Sequence, residues 1–100
     1  MNNRGVLVKD SSKISPKLSV TGAKHDTVTL SWSTPDASRI LSYDIEWADG
    51  ISSQFNMYRA QLTQTDFTVR NLQSERIYRF RIIARTICTS AKSEIVEYER

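Results

Sequence analysis

Cysteine is almost absent from this chain. Cys88 stands alone, so no disulfide can form within it, and a disulfide-stapled scaffold is excluded. A zinc site needs about four Cys or His ligands, and Cys88 with the single histidine, His25, cannot supply them. His25 sits in a polar stretch with no second base arranged around it, which leaves general acid–base chemistry without its parts. Cys88 has Arg85 as its nearest cation and no paired histidine, so it lacks the activation a nucleophile needs. The three glycines, Gly5, Gly22 and Gly50, lie far apart and form no phosphate cradle. These absences imply a protein that is not an enzyme and uses no cofactor or metal.

Long hydrophobic runs are lacking too. No apolar run exceeds three residues, as at Ile82, Ile83 and Ala84, whereas a membrane helix needs about 20. The first nine residues hold only Val6, Leu7 and Val8 as an apolar patch, which is no signal peptide. Either the chain is cytoplasmic or it is a domain cut from a longer protein, and the second is the expectation. No Asn-X-Ser/Thr acceptor occurs. The net charge of +3 is mild, and lysines cluster early while arginines interleave with acids late. A nucleic-acid binder would gather such charge on one face, so nucleic acid is not an expected partner. Direct membrane contact is not expected either.

What the chain has is alternation. One hundred residues make one domain, able to bury roughly 60–70 % of its unfolded surface. From Tyr78 onward, Tyr78, Phe80, Ile82 and Ala84 fall on one side and Arg79, Arg81, Ile83 and Arg85 on the other. A period of two is a strand with one face buried and one wet. Residues 27–33 repeat it, with Val28, Leu30 and Trp32 against Thr27, Thr29, Ser31 and Ser33. Residues 41–48 place Leu41, Tyr43, Ile45 and Trp47 inward and Ser42, Asp44, Glu46 and Ala48 outward. Residues 65–70 carry Phe67 and Val69 inward, and residues 93–100 carry Val96 and Tyr98 inward with Ile95, Glu97 and Glu99 outward.

Weaker stretches complete the set. Residues 1–14 read as a tail or interdomain linker, and residues 15–100 as the domain. Pro16 opens a short edge strand with Leu18 and Val20 inward, followed by a turn over residues 21–26. Pro35 and Asp36 mark a second turn, and Asp49 with Gly50 a hairpin. Residues 54–61 form a strand whose register stays open, because Phe55, Met57 and Tyr58 conflict in parity. Residues 87–92 read as a loop. Seven short strands at roughly 8- to 12-residue spacing, with no helical period, imply an all-β, antiparallel two-sheet sandwich without a disulfide.

These residues resemble a fibronectin type III domain, an immunoglobulin-like superfold, over residues 16–98. Pro16 with Leu18 and Val20 is similar to the family's first strand, and Val28, Leu30 and Trp32 followed by Pro35 to its second. Tyr43, Ile45 and Trp47 match the third strand, and Leu72, Tyr78 and Phe80 the E–F corner and F strand. The resemblance implies that Trp32 centres the core and that the Tyr78 hydroxyl bonds backbone a few residues upstream. A true immunoglobulin domain would place cysteines where Trp32 and Phe80 stand. The corner has Ser74 and Glu75 where the family often has Pro-Gly, which implies a less rigid turn. The loop before the last strand lacks Arg-Gly-Asp, and no Trp-Ser-x-Trp-Ser occurs.

The resemblance puts the third, sixth and seventh strands in one sheet. Asp44 and Glu46 then oppose Arg79, Arg81 and Arg85, with Glu97 and Glu99 opposite in turn. Such pairs stabilise by about 0.2–1 kcal/mol each and make a charge ladder. The same face, Arg79, Arg81, Ile83 and Arg85 with Asp44 and Glu46, is the candidate protein-contact surface, because an exposed Ile among arginines is interface composition. A weaker alternative is an acidic polysaccharide held by Arg70, Arg76, Arg79, Arg81 and Arg85. The resemblance implies a non-catalytic protein-binding or spacer module of a multidomain receptor, cell-adhesion or matrix protein, monomeric in isolation. Its partner would be another protein or a neighbouring domain, and its expected place is outside the cell. The alternatives are an intracellular module of a cytoskeletal or scaffold protein, and an accessory domain of a multidomain enzyme.

Overall fold

A computed structural model describes residues 14–50 and 54–100. Among these residues, eight strands follow in order: β1 (Lys17–Lys24), β2 (Thr27–Ser33), β3 (Ser42–Asp49), β4 (Asn56–Leu62), β5 (Asp66–Val69), β6 (Ile77–Arg85), β7 (Ser90–Lys92) and β8 (Val96–Glu99). One sheet orders β1-β2-β5; the other orders β4-β3-β6-β7, with β8 also paired to β6. Every pairing is antiparallel. The inward halves of the alternating strands fill the space between the sheets, with Val28, Leu30, Trp32, Tyr43, Ile45, Val69, Leu72, Tyr78, Phe80, Ile82 and Ala84 all in one buried cluster. Trp47 packs on the edge of this cluster, stacked on Tyr78 at 5.8 Å.

The corner tyrosine behaves as the resemblance implies. Gln73 donates its N–H to the Tyr78 hydroxyl at 2.7 Å, tying the approach to β6 down across the buried end of the core. Glu75 adopts φ 62°, a conformation that glycine would take without strain. Removing the hydroxyl leaves the Gln73 N–H without this partner, so Tyr78→Phe is expected to lose about 1–2 kcal/mol in chemical denaturation.

Several expectations are corrected. The strand expected over residues 93–100 is only β8, Val96–Glu99, and β7 precedes it on the same edge of β6, with Ser93 at the break between them. Its hydroxyl accepts the Ile82 N–H at 2.9 Å while its own N–H reaches the Ile82 carbonyl at 2.8 Å, so a side chain replaces one rung. The loop expected over residues 87–92 therefore ends in β7. The turn expected over residues 21–26 shrinks to His25 and Asp26, because a bulge between Val20 and Gly22 lets β1 pair onward to Lys24. That bulge sits where Val20 was expected inward, and Val20 is exposed. Leu41 lies outside β3 and is 61 % exposed, while Ile40 packs against the core instead. Ile14, assigned to the tail, is buried. Residues 1–13, the rest of that tail, lie outside the described residues, as do residues 51–53 after the Gly50 turn.

The open register of β4 has a cause. Register shifts flank Ile45, and Gln61 adopts φ 61°, so parity is not kept along the strand. Tyr58 and Leu62 pack on the core, and Met57 is half exposed.

Candidate interaction surfaces

The outward side chains of β3, β6 and β8 form the ladder that the resemblance implied. Glu46 and Arg81 are direct cross-strand partners, and Arg81 Nε lies 2.7 Å from Glu46 Oε1. Arg79 faces Glu97 in register and reaches it at 3.3 Å. Arg85 pairs in the ladder with Ser42, so it leans diagonally to Asp44, its Nε 2.5 Å from Oδ2. Arg76 closes the row at the far end on Asp49 at 3.0 Å. Arg81 also lies over the Phe55 ring, 4.2 Å from its centroid. Glu99, expected in the ladder, stands opposite Ile77 instead.

Two members of this face are not surface residues. Asp44 is buried, its side chain 3 % exposed, with Oδ1 accepting the Gln61 N–H at 3.0 Å. It thereby holds the β4 bulge and Arg85 together. Ile83 points outward but is 4 % exposed. It sits between Asp44 on β3 and Lys92 on β7, with a hydrogen-bonded strand on either side, and the stems of Lys92, Arg81 and Arg85 are the neighbours placed to cover it. The expectation of an exposed isoleucine among arginines is therefore corrected: the isoleucine is covered, while the arginines pair with acids as the ladder anticipated.

Sequence reasoning missed the apolar surface at the end of the sandwich. Leu41 donates its N–H to the Arg85 carbonyl at 2.8 Å, which brings it beside the loop that leaves β6. In that loop Thr86 Oγ1 accepts the N–H groups of Cys88 and Thr89, and the Thr86 N–H reaches the Thr89 carbonyl at 2.8 Å. Ile87 projects from this tied turn at 86 % exposure. An isoleucine inside a polar loop was the available signal for Ile87. Leu41 gave none, because its alternation reads as core. Cys88 is exposed in the same turn. His25 is exposed in the β1–β2 turn, where its carbonyl accepts the Arg100 guanidinium. Among the described residues, no group of three or more His, Cys, Asp or Glu side chains is placed to hold a metal ion.

The model for the fibronectin type III domain matches residues 12–99. The chain belongs to the fibronectin type III family. This fibronectin type III domain is 36 % identical over 64 residues to ephrin type-B receptor 2 of both Coturnix japonica and Gallus gallus, a match covering 62 % of the chain and 6 % of each receptor. It therefore spans a small part of the relatives it resembles. Among solved structures it is similar to one described as a myokine structure, with a TM-score of 0.73 at 16 % identity, over 88 % of this chain and 97 % of that one. It is equally similar to the twitchin kinase region from C. elegans, with a TM-score of 0.73 at 21 % identity, over 88 % of this chain and 16 % of that one. At these identities the two structures support the sandwich fold alone.

Within the fibronectin type III frame, Trp32 lies 5.7 Å from Tyr43 edge-on, and its indole N–H has no partner. Trp32→Phe removes an unpaired buried donor along with some apolar area. A loss of about 1 kcal/mol is expected, smaller than the 3–5 kcal/mol usual when a core aromatic is cut to Ala.

Proposed function

We propose that this domain is a non-catalytic, protein-contacting module of a larger receptor-type protein, and that it meets a neighbouring domain of the same chain through Leu41 and Ile87. The observation that carries this reading is the exposure of these two large apolar side chains at one end of the sandwich. Ser15, the second of the described residues, donates to the Lys92 carbonyl on β7, close to the same end. A domain attached on that side would arrive beside Leu41 and Ile87. The match to a receptor supports the receptor-type setting. In this reading the Arg79, Arg81, Ile83 and Arg85 face, with Asp44 and Glu46, serves as an internal ladder that stiffens the module.

The test uses this chain alone and joined to its preceding neighbour in the parent protein. Leu41→Asp with Ile87→Asp is expected to leave the isolated chain's Tm unchanged. The same pair should remove about 2 kcal/mol of stabilisation from the joined domains. Equal behaviour of the joined wild type and the variant overturns the reading.

A further inference from the structure

One row of the charge ladder ends in an exposed apolar side chain on each side. Met57 on β4 pairs with Glu46 on β3, and Glu46 pairs with Arg81 on β6. Beyond Arg81, Ser93 bonds across to Ile82 and Val96 pairs with Phe80, so Glu94 and Ile95 together span the level of Arg81. Val96 turns inward with Phe80, and Ile95 before it turns outward. Across four strands the row runs apolar, acid, base, apolar, over about 14 Å or three strand spacings. Met57 is 49 % exposed and Ile95 50 %, whereas the side chains of Arg81 and Glu46 are 22 % and 19 % exposed. Phe55 adds its ring against the Arg81 guanidinium.

Charge is therefore the shielded part of this row, and apolar surface the exposed part. The Glu46 carboxylate and the Arg81 guanidinium have lost most of their water within one copy, so covering them further costs less than covering free charges. The order of the row is also complementary to itself. Consider a second copy laid face to face, turned about a two-fold axis that runs along the strands between β3 and β6. Its Arg81 then comes over Glu46, and its Ile95 over Met57. The flanking row fits as well: Ala48 pairs with Arg79, so the second copy's Arg79 comes over the small Ala48. An axis across the strands would instead set Arg81 on Arg81.

We propose that two copies of this chain stack through the outer face of β4, β3, β6 and β8, about a two-fold axis along the strands. Glu46 and Arg81 of both copies form one alternating cluster of four charges. Met57 of one copy against Ile95 of the other seals it at each end. The face is small. Four strands of about seven residues cover roughly 300 Å² per copy, against about 800 Å² per partner in a stable complex. The dimer is therefore weak, and it gains from chains already held close together. This surface is separate from Leu41 and Ile87, and either can fail without the other.

Sedimentation equilibrium and amide shifts of the full chain, followed from micromolar to millimolar concentration, test the proposal. The mass should rise toward that of a dimer, with shifts centred on Glu46, Met57, Arg81 and Ile95. Met57→Lys and Ile95→Glu should each weaken association roughly tenfold, since every dimer holds that contact twice. Both positions are half exposed, so each variant should keep the wild-type Tm. Mixed together, the two variants should associate as wild type does, because one contact gains opposite charges and the other stays Met57 against Ile95. Leu41→Asp with Ile87→Asp should leave association unchanged. A chain that stays monomeric at millimolar concentration overturns the proposal, and so does a mixture that associates no better than its parts. Loss of association in the Leu41 and Ile87 variant would put the contact at the end of the sandwich and overturn it too.

Discussion

Replacing Arg85 by Met is expected to cost about 3 kcal/mol of stability, although Arg85 itself is half exposed. The loss arises on Asp44. Its carboxylate is removed from water and held by two groups, the Arg85 guanidinium at 2.5 Å and the Gln61 N–H at 3.0 Å. Met keeps an unbranched apolar stem but no charge, so the variant leaves a desolvated anion with one hydrogen bond. The reverse change is milder. Asp44→Asn keeps an acceptor for Gln61 and releases Arg85 toward water, so about 1 kcal/mol is expected. Urea denaturation at neutral pH measures both. An Arg85→Met protein within 1 kcal/mol of wild type would show that the pair is as weak as an ordinary surface bridge.

Ile83→Ala should also lose about 3 kcal/mol, within the range for buried isoleucine cut to alanine. The sequence alone argues for almost nothing, since an outward residue on a wet face changes stability by less than about 0.5 kcal/mol. Ile95→Ala is the matched control, because Ile95 is 50 % exposed and should stay inside that limit. If the two variants unfold at the same urea concentration, Ile83 is not shielded by its charged neighbours. The comparison separates the direction a side chain points from its burial.

The candidate contact face was legible in its pairing and not in its accessibility. Once the resemblance put three strands in one sheet, opposite charges at alternate positions were set to meet, so Glu46 with Arg81 and Arg79 with Glu97 could be anticipated, although Glu99 falls opposite Ile77. That Asp44 would be buried depends on the β4 bulge, whose Gln61 N–H turns toward it. That bulge has no local signal. The placing of Lys24 level with Arg70 on the opposite sheet was likewise hidden, because the two are 46 positions apart and come level only through the β1–β2 and β2–β5 registers.

By itself the sequence determined the inward halves of β2 and β6, the corner at Tyr78 and the absence of a disulfide. The alternation and the lone cysteine follow from local geometry, since a strand alternates every residue and one cysteine cannot pair. The corner was implied by the family resemblance, and its hydroxyl reaches only five residues back. Tertiary structure decided where alternation fails or ceases to mean exposure. The bulges near Val20 and Gln61, the Ser93 break, the burial of Ile83 and Asp44 and the exposure of Leu41 all depend on which strand lies alongside. Neighbouring strands set hydrogen-bond register and solvent access together, and no single strand encodes its neighbour.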